Sequence, residues 1–241
     1  MGIPVLIIGK SGSGKSRSLK RCVGKDFGLL RVLNKPLPFR GKFIGKPCNN
    51  YSEINEIVKS PKWPASIVID DAGYLITGQF MDGHATTGKG NAVFSLYNQM
   101  ADNFYRLIQT IANEAPANRI VYVIMHEDTN EFGDIRPKTI GKLLDEKVCL
   151  EGMFTIVLRA LKGEKYMFVT QSRDGAVSKS PDDMFPDVEI DNDLLLVDNV
   201  IREYYGIENE NQMAVIVDNQ VVEPYGMISD GKAYVQYEVI R

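Results

Sequence analysis

Cysteine is scarce in this chain, and the few present do not pair. Its 241 residues hold three, Cys22, Cys48 and Cys149, an odd and widely spaced set without a C-x-x-C. That spacing excludes a disulfide framework and a thiolate zinc site, and fits reduced thiols in a cytosol. No apolar stretch has the length needed to span a bilayer. The short run after Met1 lacks the basic flank and cleavage region of a secretory leader. Met1-Gly2 is no myristoylation signal, since Leu6 stands where Ser or Thr is required. A cytoplasmic protein with no membrane partner is expected. Internal repeats and low-complexity tracts are also missing. So is strong net charge: 28 Lys/Arg against 31 Asp/Glu leave a formal −3, which argues against bulk affinity for nucleic acid. The balance hides an asymmetry. Residues 1–62 carry 13 basic against 3 acidic side chains, and the remainder 15 against 28. Such a split can build a positive surface or a head-to-tail subunit contact, or can simply bring opposite charges together within the fold.

The length suits one α/β core, with room for a small appendage. The most informative stretch is Gly9-Lys10-Ser11-Gly12-Ser13-Gly14-Lys15-Ser16, which fits the phosphate-binding pattern G-x-x-x-x-G-K-[ST] and directly follows the apolar run Ile3 to Ile8. Gly12 and Gly14 allow a tight turn whose N–H groups can converge on phosphate oxygens. In that pattern Lys15 neutralises the β- and γ-phosphates and the Ser16 hydroxyl ligates Mg²⁺. Ser16 to Val23 reads as the first helix and Phe27 to Val32 as a second strand. Asn34 to Asn50, rich in proline and basic residues, reads as an irregular connection. Tyr51 to Val58 suits a short helix capped near Ser52.

Ser66-Ile67-Val68-Ile69-Asp70-Asp71 is the second key element. Its continuous apolar run suits a strand buried on both faces of a parallel sheet, with two carboxylates at the end that faces a ligand crevice. Asp70 stands where phosphate-loop ATPases place the carboxylate that holds Mg²⁺, and Asp71 at the next position, where many carry a carboxylate that polarises the attacking water. Tyr74 to Asn91 reads as a long glycine-rich loop whose Tyr74, Phe80, His84 and Lys89 could follow a single nucleic-acid strand. Val93 to Glu114 has helical spacing of apolar residues, best explained as core. Arg119 to His126 is a third buried strand; in phosphate-loop ATPases of this strand order its polar end lies beside the γ-phosphate, so His126 either senses that phosphate or is a capping or exposed histidine. Glu127 to Lys147 suits a loop and a short helix. Phe154 to Leu161 and Lys165 to Thr170 form a hairpin turned at Lys162-Gly163-Glu164. Arg173 and Lys179, just beyond, are candidates for a finger reaching a neighbouring subunit's nucleotide, or are solvated charges. Leu194 to Tyr205 forms a further helix. Met213 to Ile240 reads as a small β appendage with turns at Asp218-Asn219 and Asp230-Gly231.

The order of phosphate loop, strand, Asp-Asp strand, long helix, His-ended strand and hairpin resembles the RecA-like branch of the phosphate-loop ATPases. More specifically it is similar to phage-encoded nucleotide-binding proteins of the AAA type, which include single-strand annealing and recombination-associated members. The resemblance rests on Gly9 to Ser16, Ile67 to Asp71, Val123 to Glu127, Phe168 to Phe185 and Asp191 to Tyr205. It implies a RecA-like P-loop core over residues 1–206, with residues 207–241 as the β appendage. It also implies ATP and Mg²⁺ as cofactors, homo-oligomers, and action in phage DNA replication or recombination in the cytoplasm of a bacterial host. Single-stranded DNA would meet Tyr74–Asn91 and Glu127–Lys147. Residues 212–241 are similar to a small β repeat of amine-oxidase N-terminal-like and cell-surface modules. The Pro-Leu-Arg usual there reads Gln236-Tyr237-Glu238 here.

The expected function is therefore a Mg²⁺-dependent ATPase whose nucleotide state alters its grip on single-stranded DNA or a partner. Gly9, Lys10, Ser11, Gly12, Ser13, Gly14, Lys15 and Ser16 form the nucleotide site, Ser16 and Asp70 the metal site, and Lys15, Asp71 and His126 the catalytic group. Two alternatives stand beside it. An adaptor that holds ATP without hydrolysing it would suit Asp71, which stands where glutamate is more usual. A small-molecule or nucleotide kinase on the same fold would need an arginine-bearing lid, and Tyr74–Asn91 has no arginine. A GTPase is disfavoured, because Asn34-Lys35 is followed by Pro36-Leu37 instead of the aspartate that reads guanine.

Overall fold

The computed structural model describes residues 1–85, 87–88, 91–140, 148–173, 175–208, 215–217, 220–229 and 232–239. The chain begins with β1 (Ile3–Gly9), in which Val5 to Ile8 are wholly buried, as a strand covered on both faces requires. The helix expected over Ser16–Val23 is a 3₁₀ helix, Ser16–Cys22. Lys15 supplies no side-chain cap and the first turn has no acid, so the N-terminal end lacks the usual supports of a longer α-helix.

Strand β2 (Phe27–Arg31) is followed by β3 (Ile44–Pro47), within the segment expected to be irregular. This strand has all four residues exposed and lies at a sheet edge, so no apolar alternation marks it in the sequence. Only glycine fits at position 45, where a Cβ would come within 1.9 Å of the Leu29 carbonyl oxygen. Helix α1 (Tyr51–Lys59) is capped by Asn50, whose side chain accepts from the Glu53 N–H, two residues before the expected cap. Strand β4 (Ser66–Asp70) is buried throughout.

Most of the stretch expected to be a loop is helical. Helix α2 (Gly73–Gly83) buries Leu75 and Ile76 and packs on α3 (Asn91–Glu114), with the Phe80 and Tyr97 ring centroids 5.9 Å apart. Glycines 78 and 83 suggest a loop locally, and tertiary packing overrides them. Helix α3 turns Met100, Phe104, Leu107, Ile108 and Ile111 into the core. Next come β5 (Ile120–Thr129), β6 (Ile135–Pro137), a 3₁₀ turn at Leu150–Met153, and the hairpin β7 (Ile156–Lys162) and β8 (Tyr166–Val169). The short helix expected before Lys147 falls on residues 141–147, outside the described residues. Strand β9 (Glu189–Asp191) precedes α4 (Leu194–Tyr205).

These strands form one mostly parallel mixed sheet in an α/β fold. Its order is β3-β2-β4-β5-β1-β7-β8-β9, with β6 antiparallel to β5. From β3 to β7 neighbouring strands are parallel, and β7, β8 and β9 are antiparallel. The main core joins α1, α2 and α3 to one face of this sheet. Arg119, buried at the α3–β5 turn, donates to the carbonyls of Ile57, Val58, Ser60 and Trp63 and so closes the C-terminal end of α1.

The chain divides into two compact units, Met1–Leu195 and Leu196–Arg241. The division falls in the first turn of α4, whereas the sequence suggests a boundary after residue 206. In the second unit, β10 (Val215–Val217), β11 (Gln220–Ser229) and β12 (Lys232–Val239) form a three-stranded antiparallel sheet. The expected turns at Asp218-Asn219 and Asp230-Gly231 lie outside the described residues. Among the described residues no helix is long and apolar enough to cross a membrane.

Candidate phosphate-binding site

The carboxyl ends of β1, β4 and β5 converge at one edge of the sheet, which is where open α/β sheets hold ligands. Strand β5 lies between β1 and β4, and its register pairs His126 with Gly9 at the start of the glycine-rich loop. Gly12 and Gly14 have φ of +78° and +99°, in the left-handed region that favours glycine. At position 14 there is a second reason: a Cβ would stand 2.6 Å from the Tyr166 ring and 3.0 Å from Asn192 Oδ1.

Lys15 is buried, and its ammonium donates to the carbonyls of Gly9 and Lys10, both at 2.7 Å. Burial pushes its pKa down to about 8 against the attraction of Asp71 and Asp70. The ammonium also lies 3.5 Å from His126 Nδ1. A lysine ammonium only donates, so Nδ1 accepts, and the proton of the neutral ring belongs on Nε2, 3.7 Å from Asp71 Oδ1. Burial, and then Lys15, lower the His126 pKa, so at neutral pH this contact with Asp71 is not an ion pair.

The Ser16 hydroxyl donates to Asp70 Oδ1 at 3.0 Å. Asp70 is buried, and burial together with the Asp71 charge pushes its pKa up to about 6, against the Ser16 hydrogen bond and the two lysines. Asp71 follows with φ of +60°, a left-handed conformation that aspartate tolerates better than most residues. Its carboxylate is paired with Lys35. Partial burial opposes the charged form of Lys35, yet the hydrogen bond and charge of Asp71 raise its pKa above the ordinary value.

Around these groups lies a cleft of about 540 Å³ lined by Gly12, Gly14, Lys15, Ser16, Asp71 and His126 on the side of the glycine-rich loop. Pro36, Pro38, Phe39 and Tyr166 line it further out, and Arg17 lies over the Tyr166 ring at 4.6 Å. The volume is in the range of small-molecule and cofactor sites. Among the described residues no group of three or more His, Cys, Asp or Glu could hold a metal ion by itself. Ser16 with Asp70 is a donor pair that suits Mg²⁺ when a ligand's phosphates supply further oxygens.

No family model matches the chain, and no curated protein matches it. The site therefore rests on its own geometry.

Of the residues singled out in the sequence, Lys15, Ser16, Asp70, Asp71 and His126 come together, with the loop from Gly9 to Gly14 around them. Arg173 and Lys179 do not line this cleft; Arg173 is paired with Glu189, and the Lys179 backbone bonds Val157. In the stretch expected to follow a nucleic-acid strand, Phe80 packs against the core and stacks on His84 with centroids 5.0 Å apart. Tyr74 lies edge-on to His126 at 6.1 Å. Lys89 falls outside the described residues. Lys35 is the member of the site that sequence reasoning misses. It sits in a proline-bounded segment with no motif around it, and only the fold brings it to Asp71.

Proposed function

We propose that this chain is a Mg²⁺-dependent ATP-binding protein and ATPase with a RecA-like phosphate-loop core. In this reading its nucleotide state alters its grip on single-stranded DNA or on a replication or recombination partner. The observation that carries the nucleotide site is the meeting of Lys15 with the Ser16–Asp70 pair at the mouth of a glycine-rich loop. The strand order adds support, because β5 separates the loop strand from the Asp-Asp strand and sets His126 beside the loop. The DNA partner, the homo-oligomer and the phage context rest on the sequence resemblance.

Gly12, Gly14 and their neighbours would direct backbone N–H groups at the phosphates, and Lys15 would exchange its two loop carbonyls for phosphate oxygens. Ser16 and Asp70 would hold Mg²⁺, which supplies charge neutralisation on the phosphates. Asp71 would orient the attacking water, and His126 would report on the terminal phosphate. Positioning and electrostatics dominate such a reaction.

A second reading has a specific observation behind it. Lys35 holds the Asp71 carboxylate, which would have to be released before it could orient water. A chain in which that pair persists would be a non-hydrolysing ATP-binding adaptor. One experiment addresses both: ATP binding and phosphate release measured on the wild type, Lys15→Ala and Lys35→Met, with and without single-stranded DNA. The proposed site requires Lys15→Ala to lose ATP binding or turnover, and unaltered turnover in that variant refutes it. Turnover near zero in the wild type that rises in Lys35→Met favours the adaptor. Phosphate transferred to an acceptor instead of to water would instead identify a kinase.

A further inference from the structure

Asn192 is distant in sequence from both the phosphate-binding pattern and the Asp-Asp strand, yet it lies against the glycine-rich loop. It is only 6% exposed, and among the described residues neither its Oδ1 nor its Nδ2 has a hydrogen-bond partner. Its Oδ1 stands 3.0 Å from where a Cβ on Gly14 would be. An amide has one acceptor oxygen and two donor hydrogens, and a buried one is ordinarily paired.

Its neighbours keep it there. Asp193 is ion-paired with Arg21 of the 3₁₀ helix after the loop, and its other carboxylate oxygen accepts from the Leu195 N–H at 3.1 Å. On the other side Asp191 bonds Lys165 at 3.1 Å. The buried amide thus sits between two ion-paired residues. A second polar group on the loop is in the same condition: the Ser13 hydroxyl is buried without a partner among the described residues, 2.5 Å from the Cβ position of Gly9.

The loop between them is held closed on itself. Lys15 occupies the carbonyls of Gly9 and Lys10, and the Ser13 N–H reaches the Lys10 carbonyl at 3.2 Å. Phosphate entry competes for Lys15 and for the loop N–H groups, and so requires these peptides to reorient. We infer that Asn192 is a positioning residue for the occupied loop: its buried amide gains its partners from the loop's peptide groups around Gly14 when phosphates are bound. This rests on the nucleotide reading of the cleft. The junction Asp191-Asn192-Asp193 is then a third wall of the site, beside the loop and the Asp-Asp strand, and satisfying its amide contributes to affinity.

A residue of this kind has an unusual signature. Replacing an orphaned buried amide with an apolar side chain of similar size removes a penalty from the empty protein and a gain from the loaded one. Thermal unfolding without nucleotide and the ATP–Mg²⁺ dissociation constant are to be measured on the wild type, Asn192→Leu, Asn192→Ala and Lys15→Ala. The expected result for Asn192→Leu is a nucleotide-free midpoint equal to or above wild type, with ATP bound roughly tenfold more weakly. Asn192→Ala should show the same loss of affinity and decides the matter if leucine overfills the site and prevents folding. Wild-type affinity in the variant that folds overturns the inference, whatever its unfolding midpoint. If the wild type binds ATP and Lys15→Ala does not, that failure leaves the nucleotide reading intact. If the wild type binds no ATP, the nucleotide reading fails and this inference falls with it.

Discussion

Asp70 and Lys15 are both charged and both buried before any ligand arrives, and the energetic consequence can be followed with pH. The Asp70 pKa in the fold, about 6, lies above its ordinary 3.8. Between those values the folded chain binds more protons than the unfolded one, so this contribution to stability is complete below about pH 4 and is lost as pH rises through 6. For Lys15 the folded value of about 8 lies below the ordinary 10.5. Between them the unfolded chain binds more protons, so stability from this group rises with pH across that window. Together the two residues set a minimum in nucleotide-free stability between about pH 6 and pH 8. The Asp70 step corresponds to at most about 3 kcal/mol, a net figure in which the bond it accepts from Ser16 already counts. Asp70→Asn should therefore raise the nucleotide-free unfolding midpoint at pH 7 by several degrees and flatten its rise between pH 6 and 4. Calorimetry across pH 4–8 checks this. A midpoint lowered by the substitution at pH 7 would mean that Asp70 is stabilising where it stands.

At the scale of elements, the end of α1 depends on one side chain from elsewhere. The four carbonyls bonded by Arg119 belong to the last turn of α1 and to the residues that follow it. Arg119→Met keeps most of the apolar stem but leaves those carbonyls buried without that donor, a loss on the order of 3 kcal/mol. The unfolding midpoint should fall by roughly 6–12 °C, since each kcal/mol shifts a chain of this size by about 2–4 °C. ATP affinity in the folded variant should stay close to wild type, because Arg119 lies at the opposite end of β5 from His126. The same elements explain what can be read in the sequence. Strands β1, β4 and β5 are legible because a strand buried on both faces must be a continuous apolar run. The 3.6-residue spacing of α3 is legible for a similar reason. Helix α2 is not, since its glycines indicate a loop and tertiary packing on α3 and the core makes it a helix. Lys15, Ser16, Asp70, Asp71 and His126 are legible because each ends or follows a recognisable strand. The place of Lys35 beside Asp71 and that of Asn192 against the glycine-rich loop are not, because both are tertiary: they depend on a connection after β2 in one case and on the junction after β9 in the other.

For the whole molecule, the division into two units has a functional consequence. Every residue lining the cleft, and Asn192 beside it, belongs to Met1–Leu195. Helix α4 runs across the division, and its Asp198 and Arg202 form a fully buried ion pair, so cutting within the helix would expose a charge pair that belongs inside. A chain ending at residue 206 keeps that helix and removes the three-stranded sheet. It should bind ATP–Mg²⁺ with an affinity within about threefold of the full chain and show a comparable nucleotide-induced rise in its unfolding midpoint. Isothermal titration and thermal unfolding of the two chains side by side provide the comparison. A truncated chain that folds but has lost nucleotide would mean that the β sheet takes part in holding the ligand. If nucleotide affinity is retained while assembly or partner binding disappears, the sheet is a contact module, separate in function from the site that β1, β4 and β5 build.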